Sequence, residues 1–263
     1  MKSSMTQRKA FWPLKNNNIH MKKMIALCFF SMVFLFSSCT PSPEKQAREL
    51  LQKSILAHEK ENSYENLAAL KFRKWTRLLN EDGSIESETD QLNEFRIKPY
   101  FEGKITWIKD SLEHVSSWDG SQMKYLMGGN EVLNTDFLAQ KKKDLDAAFY
   151  AFAQPWKLLD DGPKLSLQQQ RILENGTTVD VILVDYGPES DTWWYYFDPI
   201  THLMIGNEVQ LKDHRSLIYN LSYDERTGML LHGTRESFRV NEKGEKLFLR
   251  AEYRYYDYEL IFE

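Results

Sequence analysis

The segment Leu247-Phe248-Leu249-Arg250-Ala251-Glu252-Tyr253-Arg254-Tyr255 decides the class of fold that this chain can form. From Leu249 onward every second side chain is apolar, and the side chains between them are charged. Because successive side chains of a β-strand point to opposite faces of a sheet, this alternation predicts a strand with one buried face. We expect the strand to cover residues 246–262.

Similar strand-like segments fill most of the remaining chain, and turn sequences such as Asp82-Gly83, Asp119-Gly120, Gly187-Pro188 and Asp198-Pro199 separate them. The other predicted strands are residues 66–78, 92–98, 104–109, 112–118, 122–127, 165–173, 178–186, 193–198, 203–211, 216–224 and 230–240. Several connectors are of hairpin length, so neighbouring strands are expected to be antiparallel. We expect about eleven strands.

Two segments have helical spacing instead. Residues 43–61 place six side chains on one face at intervals of three and four: Ala47, Leu50, Leu51, Ser54, Ile55 and His58. Residues 135–154 carry a larger apolar stripe, which consists of Leu138, Leu145, Phe149, Phe152 and Trp156. Thr135 is the expected N-cap of this second helix, and Pro155 is expected to end it. The stripe fits a helix that faces the core, and it also fits a lid over a cavity.

These elements predict an α+β, β-rich fold. The helices do not alternate with the strands, so a parallel sheet is not expected. A sheet of this many strands in one domain has to curl or close. We therefore expect a half-open antiparallel β-barrel of about eleven strands, with a covering N-terminal helix and a mid-chain helical lid.

The N-terminus has the pattern of a bacterial lipoprotein signal. Met21-Lys22-Lys23 precedes thirteen mostly apolar residues, and Ser37-Ser38-Cys39 follows them. We expect residues 1–38 to be a leader and signal peptide, residues 39–43 a lipidated tether with the lipid on Cys39, and residues 44–263 a single domain. The alternatives are an ordinary secretory signal and a single membrane helix. The expected location is the cell envelope, at the periplasmic face of the outer membrane.

Charge and cysteine content exclude several classes of function. The leader contains six of the 34 basic residues and none of the 38 acidic ones, so the expected mature chain has a formal charge of −10. Such a chain repels nucleic acid and is not attracted to anionic headgroups by its net charge. Cys28 leaves with the signal and Cys39 is acylated, so thiol catalysis and thiolate metal sites are not expected.

No sequence motif predicts an enzyme. The chain lacks GxSxG, HExxH, P-loop and GxGxxG patterns. Ser121-Gln122-Met123-Lys124 fits S-x-x-K, but it lies at a hairpin rather than at the start of a helix. The histidines are scattered, so neither a metal site nor a cofactor is expected. Asp160, Asp161, Asp185, Glu189 and Asp191 lie at turns, and a hydrolase that uses some of them stays a minor alternative.

The segment Trp194-Tyr195-Tyr196-Phe197-Asp198-Pro199-Ile200-Thr201-His202-Leu203 resembles the aromatic strand and Asp-Pro-x-Thr-x-Leu turn of the LolA/LolB-like lipoprotein-localisation fold. The chain is more similar still to a family of Bacteroidota lipoproteins with that fold, DUF6503. The other similar segments, in order, are Ala57-His58, Tyr64-Glu65-Asn66-Leu67, Trp118-Asp119-Gly120, Ala148-Phe149-Tyr150, Pro155-Trp156-Lys157-Leu158-Leu159-Asp160 and Asp191-Thr192-Trp193-Trp194. The chain departs from the family at Glu59-Lys60, where two glycines are usual. This places a left-handed turn there in doubt.

The resemblance implies a half-open barrel with a hydrophobic cavity, in a family whose relatives carry acyl chains of lipoproteins or other lipids. It transfers no catalytic residues. From strand phase and aromatic size, we expect the cavity to be lined by Trp107, Trp118, Tyr125, Phe149, Phe152, Trp193 and Tyr195.

The expected function is therefore a membrane-anchored lipoprotein that binds a lipid, a lipoprotein acyl chain or another hydrophobic ligand. The alternative is a structural or protein-interaction lipoprotein of the envelope with no ligand. That alternative predicts no cavity and an exposed aromatic patch of a few hundred Å². The aromatic run 193–197 fits a strand that is covered on both faces, and it also fits a strand with one face toward a ligand or a membrane.

Overall fold

The computed structural model describes residues 41–60, 63–188 and 190–263. The leader, the signal and Cys39 lie outside the described residues, so their assignment stays a prediction. Among the described residues, no helix combines the length and the apolar character that crossing a membrane requires.

Within this part of the chain there are two α-helices, a short 3-10 helix at Trp156–Leu159 and sixteen strands. The helices are α1 (Pro43–His58) and α2 (Thr135–Phe152). The strands are β1 (Leu67–Leu79), β2 (Ile85–Arg96), β3 (Glu102–Lys109), β4 (Leu112–Trp118), β5 (Met123–Met127), β6 (Asn130–Glu131), β7 (Lys164–Leu167), β8 (Arg171–Ile172), β9 (Thr178–Asp185), β10 (Thr192–Phe197), β11 (Met204–Gln210), β12 (Arg215–Asn220), β13 (Tyr223–Asp224), β14 (Leu231–His232), β15 (Thr234–Val240) and β16 (Lys246–Phe262).

A single antiparallel sheet holds fourteen of these strands in the order β6-β5-β4-β3-β2-β1-β16-β15-β12-β11-β10-β9-β7, with β8 paired to β9 outside this path. The β16 strand, which the alternating segment predicted, lies in the middle and pairs with β1 and β15. The α+β class and the antiparallel sheet are therefore confirmed. Within the described residues the sheet is open between β6 and β7, so the expected barrel is not confirmed.

More strands are present than the eleven expected, because several predicted strands are interrupted. Residues 230–240 divide at Gly233, where a Cβ would lie only 2.5 Å from Ser222 Oγ. Residues 216–224 divide after Asn220, whose side chain donates to the Met204 carbonyl at 2.7 Å. The β2 strand begins seven residues earlier than predicted, at Ile85, because its first half is polar and exposed and therefore lacks an apolar period.

The α1 helix covers one end of the inner face of the sheet. Ser42 is its N-cap and accepts a hydrogen bond from Lys45 N at 3.2 Å. The predicted apolar face is confirmed, and its buried residues pack on β7, β9, β10 and the 3-10 helix. The helix ends three residues earlier than predicted. At Glu59 the backbone is extended (φ −142°), and the carboxylate accepts from Tyr64 N at 2.7 Å. The left-handed turn that glycines would allow is therefore absent at Glu59.

The α2 helix lies across the middle of the inner face. Its N-cap is Asn134 rather than Thr135, and Asn134 Oδ1 accepts from Phe137 N at 2.8 Å. The main core cluster forms beneath the helix and includes Leu145, Phe149, Phe152, Leu70, Phe72, Phe95 and Ile105. Gly103 permits this close contact, because a Cβ there would lie 2.8 Å from Leu145 Cδ2.

The aromatic run of β10 is covered on both sides. Tyr195 and Phe197 face the cluster under α1, whereas Tyr196 faces a separate cluster with Val181 and Leu217 on the outer face. The Tyr196 hydroxyl donates to the buried carboxylate of Glu208, which also pairs with two arginines, Arg171 and Arg215. The structure thus shows a strand with both faces covered at these three residues.

Candidate functional site

A cleft of about 610 Å³ opens beside α2, on the side toward β10–β12 and β15. Four neighbouring strands supply one inner-face residue each, namely Trp193, Asn207, Ile218 and Arg235. The remaining lining residues are Asp146, Ala147, Tyr150, Ala151, Gln154, Tyr186, Ser190 and Asp191. The volume lies within the range of roughly 300 to 1,000 Å³ that is usual for small-molecule sites.

One wall of the cleft is aromatic and apolar. The ring of Trp193 stacks on Tyr195 with a centroid distance of 6.1 Å and an interplanar angle of 15°. The Tyr150 and Tyr186 hydroxyls form a hydrogen bond with each other. Burial raises the pKa of both tyrosines, so both remain neutral at pH 7. This wall therefore combines flat ring surfaces with few polar atoms.

The floor of the cleft is polar. Arg235 is only 6% exposed, and its Nη2 donates to Asn207 Oδ1 at 2.9 Å. Its Nε atom is buried and has no hydrogen-bond partner among the described residues. Gln154 Nε2 donates to the Tyr195 hydroxyl at 3.0 Å, while Gln154 Oε1 is buried without a partner in the same part of the chain. Buried polar atoms normally have partners, so these two atoms leave the floor able to bind water or a polar group of a ligand.

A second cleft of about 360 Å³ lies on the opposite side of α2, over β1–β4. Its lining residues include Trp107, Lys74 and Ala147, and Ala147 borders both clefts. The Lys74 ammonium lies 5.0 Å from the ring centroid of Tyr253 and 5.7 Å from that of Tyr255. Burial alone would raise the pKa of Tyr255, but the nearby charged side chains of Lys74 and Arg235 lower it. The middle of the inner face is thus locally positive.

The predicted lining residues are distributed over several environments. Trp193 lines the larger cleft and Trp107 the smaller one. Trp118 borders a groove of about 530 Å³ that also contains Glu94, Arg96 and Lys104. The other four are buried: Phe149 and Phe152 in the core under α2, Tyr195 in the core under α1, and Tyr125 in a hydrogen bond with His114 at 2.7 Å.

The polar residues of the floor were not predicted, because the candidates were selected by aromatic size. Arg235 lies in a predicted strand, but Ser237 and Arg239 share its phase, so the sequence does not indicate that this face is buried. Asn207 and Gln154 carry no signal either, since their positions depend on which strands become neighbours.

The buried histidines are packing residues. The His58 ring lies edge-on to Tyr223 at 5.3 Å, and its Nδ1 hydrogen bonds to the Ser54 carbonyl at 2.8 Å. Burial lowers the pKa of His58 to about 4. Burial, with nearby positive charge, also lowers the pKa of His232, whose Nε2 hydrogen bonds to the Ala151 carbonyl at 3.1 Å. Both rings are neutral at pH 7, and they join α1 and α2 to the β13–β14 ribbon.

The described residues contain no group of three or more His, Cys, Asp or Glu side chains that could hold a metal ion. Ser121 of the S-x-x-K match lies in a turn, where its Oγ and N donate to Asp119 Oδ1 at 2.8 Å and 3.0 Å. Asp213 and His214 are neighbours in an exposed turn, and Asp213 is largely open to solvent.

The chain is similar to known proteins in its fold alone. No family model matches the chain, and no curated protein matches it. A DUF1329 family protein from Desulfovibrio piger is similar in structure, with 8% sequence identity, a TM-score of 0.51 and coverage of 84% of this chain and 94% of that one. A LolA superfamily protein from Nitrosomonas europaea is similar with 9% identity, a TM-score of 0.50 and coverage of 82% and 93%. The chain therefore has a LolA-like α+β fold.

Proposed function

We propose that the protein is an envelope lipoprotein that binds a lipid, the acyl chain of a lipoprotein or another hydrophobic ligand. The binding site is the 610 Å³ cleft between α2 and strands β10–β12 and β15. This cleft is the observation that carries the proposal. It is large enough for a ligand, it is walled by Trp193 and Tyr150, and it lies on the inner face over β10–β12 and β15.

The physical basis is removal of apolar ligand surface from water, which contributes about 25 cal/mol per Å². Flat rings such as Trp193 and Tyr150 provide much contact area with little loss of side-chain freedom. The two small residues on the cleft side of α2, Ala147 and Ala151, leave room for the ligand. Binding of this kind needs no catalytic group, and the proposal assigns the protein no reaction.

The lipid anchor on Cys39 is part of the proposal. Three residues separate Cys39 from Pro43, the first residue of α1. The four residue steps from Cys39 to Pro43 span at most about 14 Å in an extended chain. The anchor would therefore keep the domain close to the membrane from which a ligand comes. The periplasmic face of the outer membrane is the proposed location, and kinship with the DUF6503 lipoproteins belongs to the same proposal.

Native mass spectrometry of the full-length protein from its own host tests this function. We expect a mass increment from a co-purified lipid or acylated molecule, and we expect it to be lost when Ala147→Trp fills the cleft. Protein that carries only its own covalent lipid, and that binds no added amphiphile, would contradict the proposal.

A second candidate function is protein interaction. Exposed apolar side chains gather at the end of the sheet formed by β3–β5, and they are Ile108, Leu112, Leu126 and Met127. Ile108 and Leu126 lie on the outer face, away from the cleft, by the pairing of these strands. If this surface carries the function, Leu126→Glu would abolish cross-linking to a partner in whole cells and leave amphiphile binding unchanged.

A further inference from the structure

Among the described residues, Arg235 is a buried cation without an acidic partner. No carboxylate of these residues lies within 4 Å of its guanidinium group, although eighteen ion pairs occur in this part of the chain. Most of these pairs are on the surface, where they contribute little. Within the described part of the chain, the guanidinium makes one hydrogen bond, to the neutral amide of Asn207.

The nearest polar groups increase the positive character of this floor. Lys74 of β1 and Arg235 of β15 both lie close to Tyr255, so two positive charges act on the same side chain. The acidic residues of the cleft are at its edge. Asp146 is exposed and accepts two hydrogen bonds from Lys142 Nζ, at 2.7 Å and 2.6 Å. Asp191 is half-buried and is not within ion-pair distance of Arg235.

A buried charge without a counter-charge is costly, and its cost is offset when an anion binds to it. The guanidinium is planar and presents its donors as a fork that fits carboxylate and phosphate groups. The unpartnered Nε of Arg235 is one of those donors, and Arg235 lines the cleft. The overall negative charge of the chain weakens the long-range attraction of anions. Arg235 therefore discriminates between molecules that have already entered the cleft and does not attract anions from solution.

We propose that Arg235 binds the anionic head group, a carboxylate or a phosphate monoester, of a single-chain amphiphile. The head group lies on the floor of the cleft and is also within reach of Asn207 and Gln154. The hydrocarbon chain runs outward between Tyr150 and Trp193. This inference rests on the proposed function, because it assigns a ligand class to the same cleft.

Native mass spectrometry of the full-length protein in a neutral detergent tests the inference with probes of equal chain length. The probes are dodecanoate, dodecyl phosphate and dodecanol, with acetate and inorganic phosphate as anions that lack a chain. We expect one or both anionic probes to bind at least tenfold more tightly than dodecanol, and whichever binds more tightly identifies the head group. We expect acetate and inorganic phosphate not to bind at the same concentrations.

The variant Arg235→Met should weaken binding of the anionic probe by about ten- to a hundredfold, the range for a lost charge-assisted hydrogen bond, and leave dodecanol binding unchanged. Arg239→Met is the matched control. Arg239 lies four residues further along β15 on the same face, and its Nη1 donates to Ser216 Oγ at 2.7 Å, but it does not line the cleft. Arg235→Lys keeps the charge without the fork and should retain part of the preference for anions, so it serves if the methionine variant fails to fold.

The outcomes distinguish a failure of the role assigned to Arg235 from a failure of the proposed function. Equal binding of dodecanoate, dodecyl phosphate and dodecanol to the wild type would overturn the role of Arg235 while the proposed function stands. A preference for the anionic probe that persists in Arg235→Met would also overturn the role of Arg235. Binding of acetate or inorganic phosphate as tight as that of the long-chain probes would replace the amphiphile with a simple anion. Failure of every probe to bind would overturn both proposals.

Discussion

The two sides of α2 face the same sheet and have different interiors. Toward β1–β3 the helix presents Leu145, Phe149 and Phe152, which pack on the sheet and leave only the smaller cleft of about 360 Å³. Toward β10–β12 it presents Ala147 and Ala151, and a cleft of about 610 Å³ remains. The sheet differs in the same sense, since Phe72 and Phe95 lie beneath the first side and Asn207 and Arg235 beneath the second. The size of the helix residues and the polarity of the strand residues together decide which side is core and which side is a site.

The packing of α2 also bears on whether this helix is a lid or a fixed wall. Its C-terminal half is fixed by aromatic packing, because Phe152 stacks on Phe72 at a centroid distance of 5.7 Å and an angle of 19°. A lid that had to lift from the sheet would lose all of these contacts. A ligand that enters from the open side needs no such movement. We therefore regard α2 as a fixed wall of the cleft in this structure.

The largest effect is expected on the packed side. Phe152 is 2% exposed, so Phe152→Ala should lower the free energy of unfolding by about 3–5 kcal/mol. Trp193→Ala removes a larger side chain from the open side, but Trp193 is only half-buried, and we expect less than half of that loss. Denaturant unfolding of both variants measures the difference. Equal losses would show that the two sides are packed to the same degree.

The stability of the domain should also depend on pH, through its buried histidines. His58 has a pKa of about 4 in the folded protein and about 6.5 when unfolded, so the unfolded chain binds more protons between these values. Stability is therefore full above pH 6.5, falls as the pH drops toward 4, and loses about 3 kcal/mol through this residue. His232 acts in the same direction, because its pKa is also lowered.

Unfolding measured from pH 7 to pH 4 in wild type and His58→Asn checks this dependence. The asparagine can still donate to the Ser54 carbonyl but does not titrate. We expect a smaller slope in the variant, and an unchanged slope would show that His58 does not set the pH dependence.

A smaller effect is expected at Gly103, where the helix and sheet come closest. Gly103→Ala places a Cβ against Leu145 Cδ2 and Phe95, and we expect a loss of about 1–3 kcal/mol. Leu145→Ala should remove that clash. The double variant is therefore expected to be more stable than the sum of the two single losses indicates, and strict additivity would contradict direct contact between these residues.

The smallest effect on stability, with a large effect on binding, is expected at Ala147. This residue is exposed and borders both clefts, so Ala147→Trp should change stability by no more than about 0.5 kcal/mol. It should abolish binding of dodecanoate, because the indole occupies the ligand's space. Ala139 is an exposed alanine on the same helix, and it lines neither cleft. The Ala139→Trp variant should therefore bind dodecanoate as the wild type does. Loss of binding in both variants would place the ligand elsewhere.

The sequence was sufficient for the parts of the fold that depend on local periodicity. The faces of α1 and α2 followed from spacings of three and four, and β16 followed from the alternation after Leu249. The extent of the sheet was harder to predict, because the polar first half of β2 has no apolar period. The interruption at Gly233 depends on contact with Ser222 eleven residues earlier, which no local pattern contains.

The candidate site was predicted less well than the fold, for a physical reason. Trp193, Asn207, Ile218 and Arg235 come from four strands and meet only through the register of those strands. Aromatic size was a poor guide, since large apolar residues more often fill the core than line a cleft, as Phe149 and Phe152 do here. Buried charge is the better indicator of a site, but the burial of Arg235 is known only from the structure.

A crystal structure of the protein with 12-bromododecanoate tests most directly which side of α2 holds the ligand, because anomalous scattering locates the bromine atom. The account predicts the bromine at the mouth of the cleft near Tyr150 and Trp193, with the carboxylate in hydrogen-bond contact with Arg235. Bromine among Phe72, Phe95 and Phe149, with α2 lifted from the sheet, would contradict it.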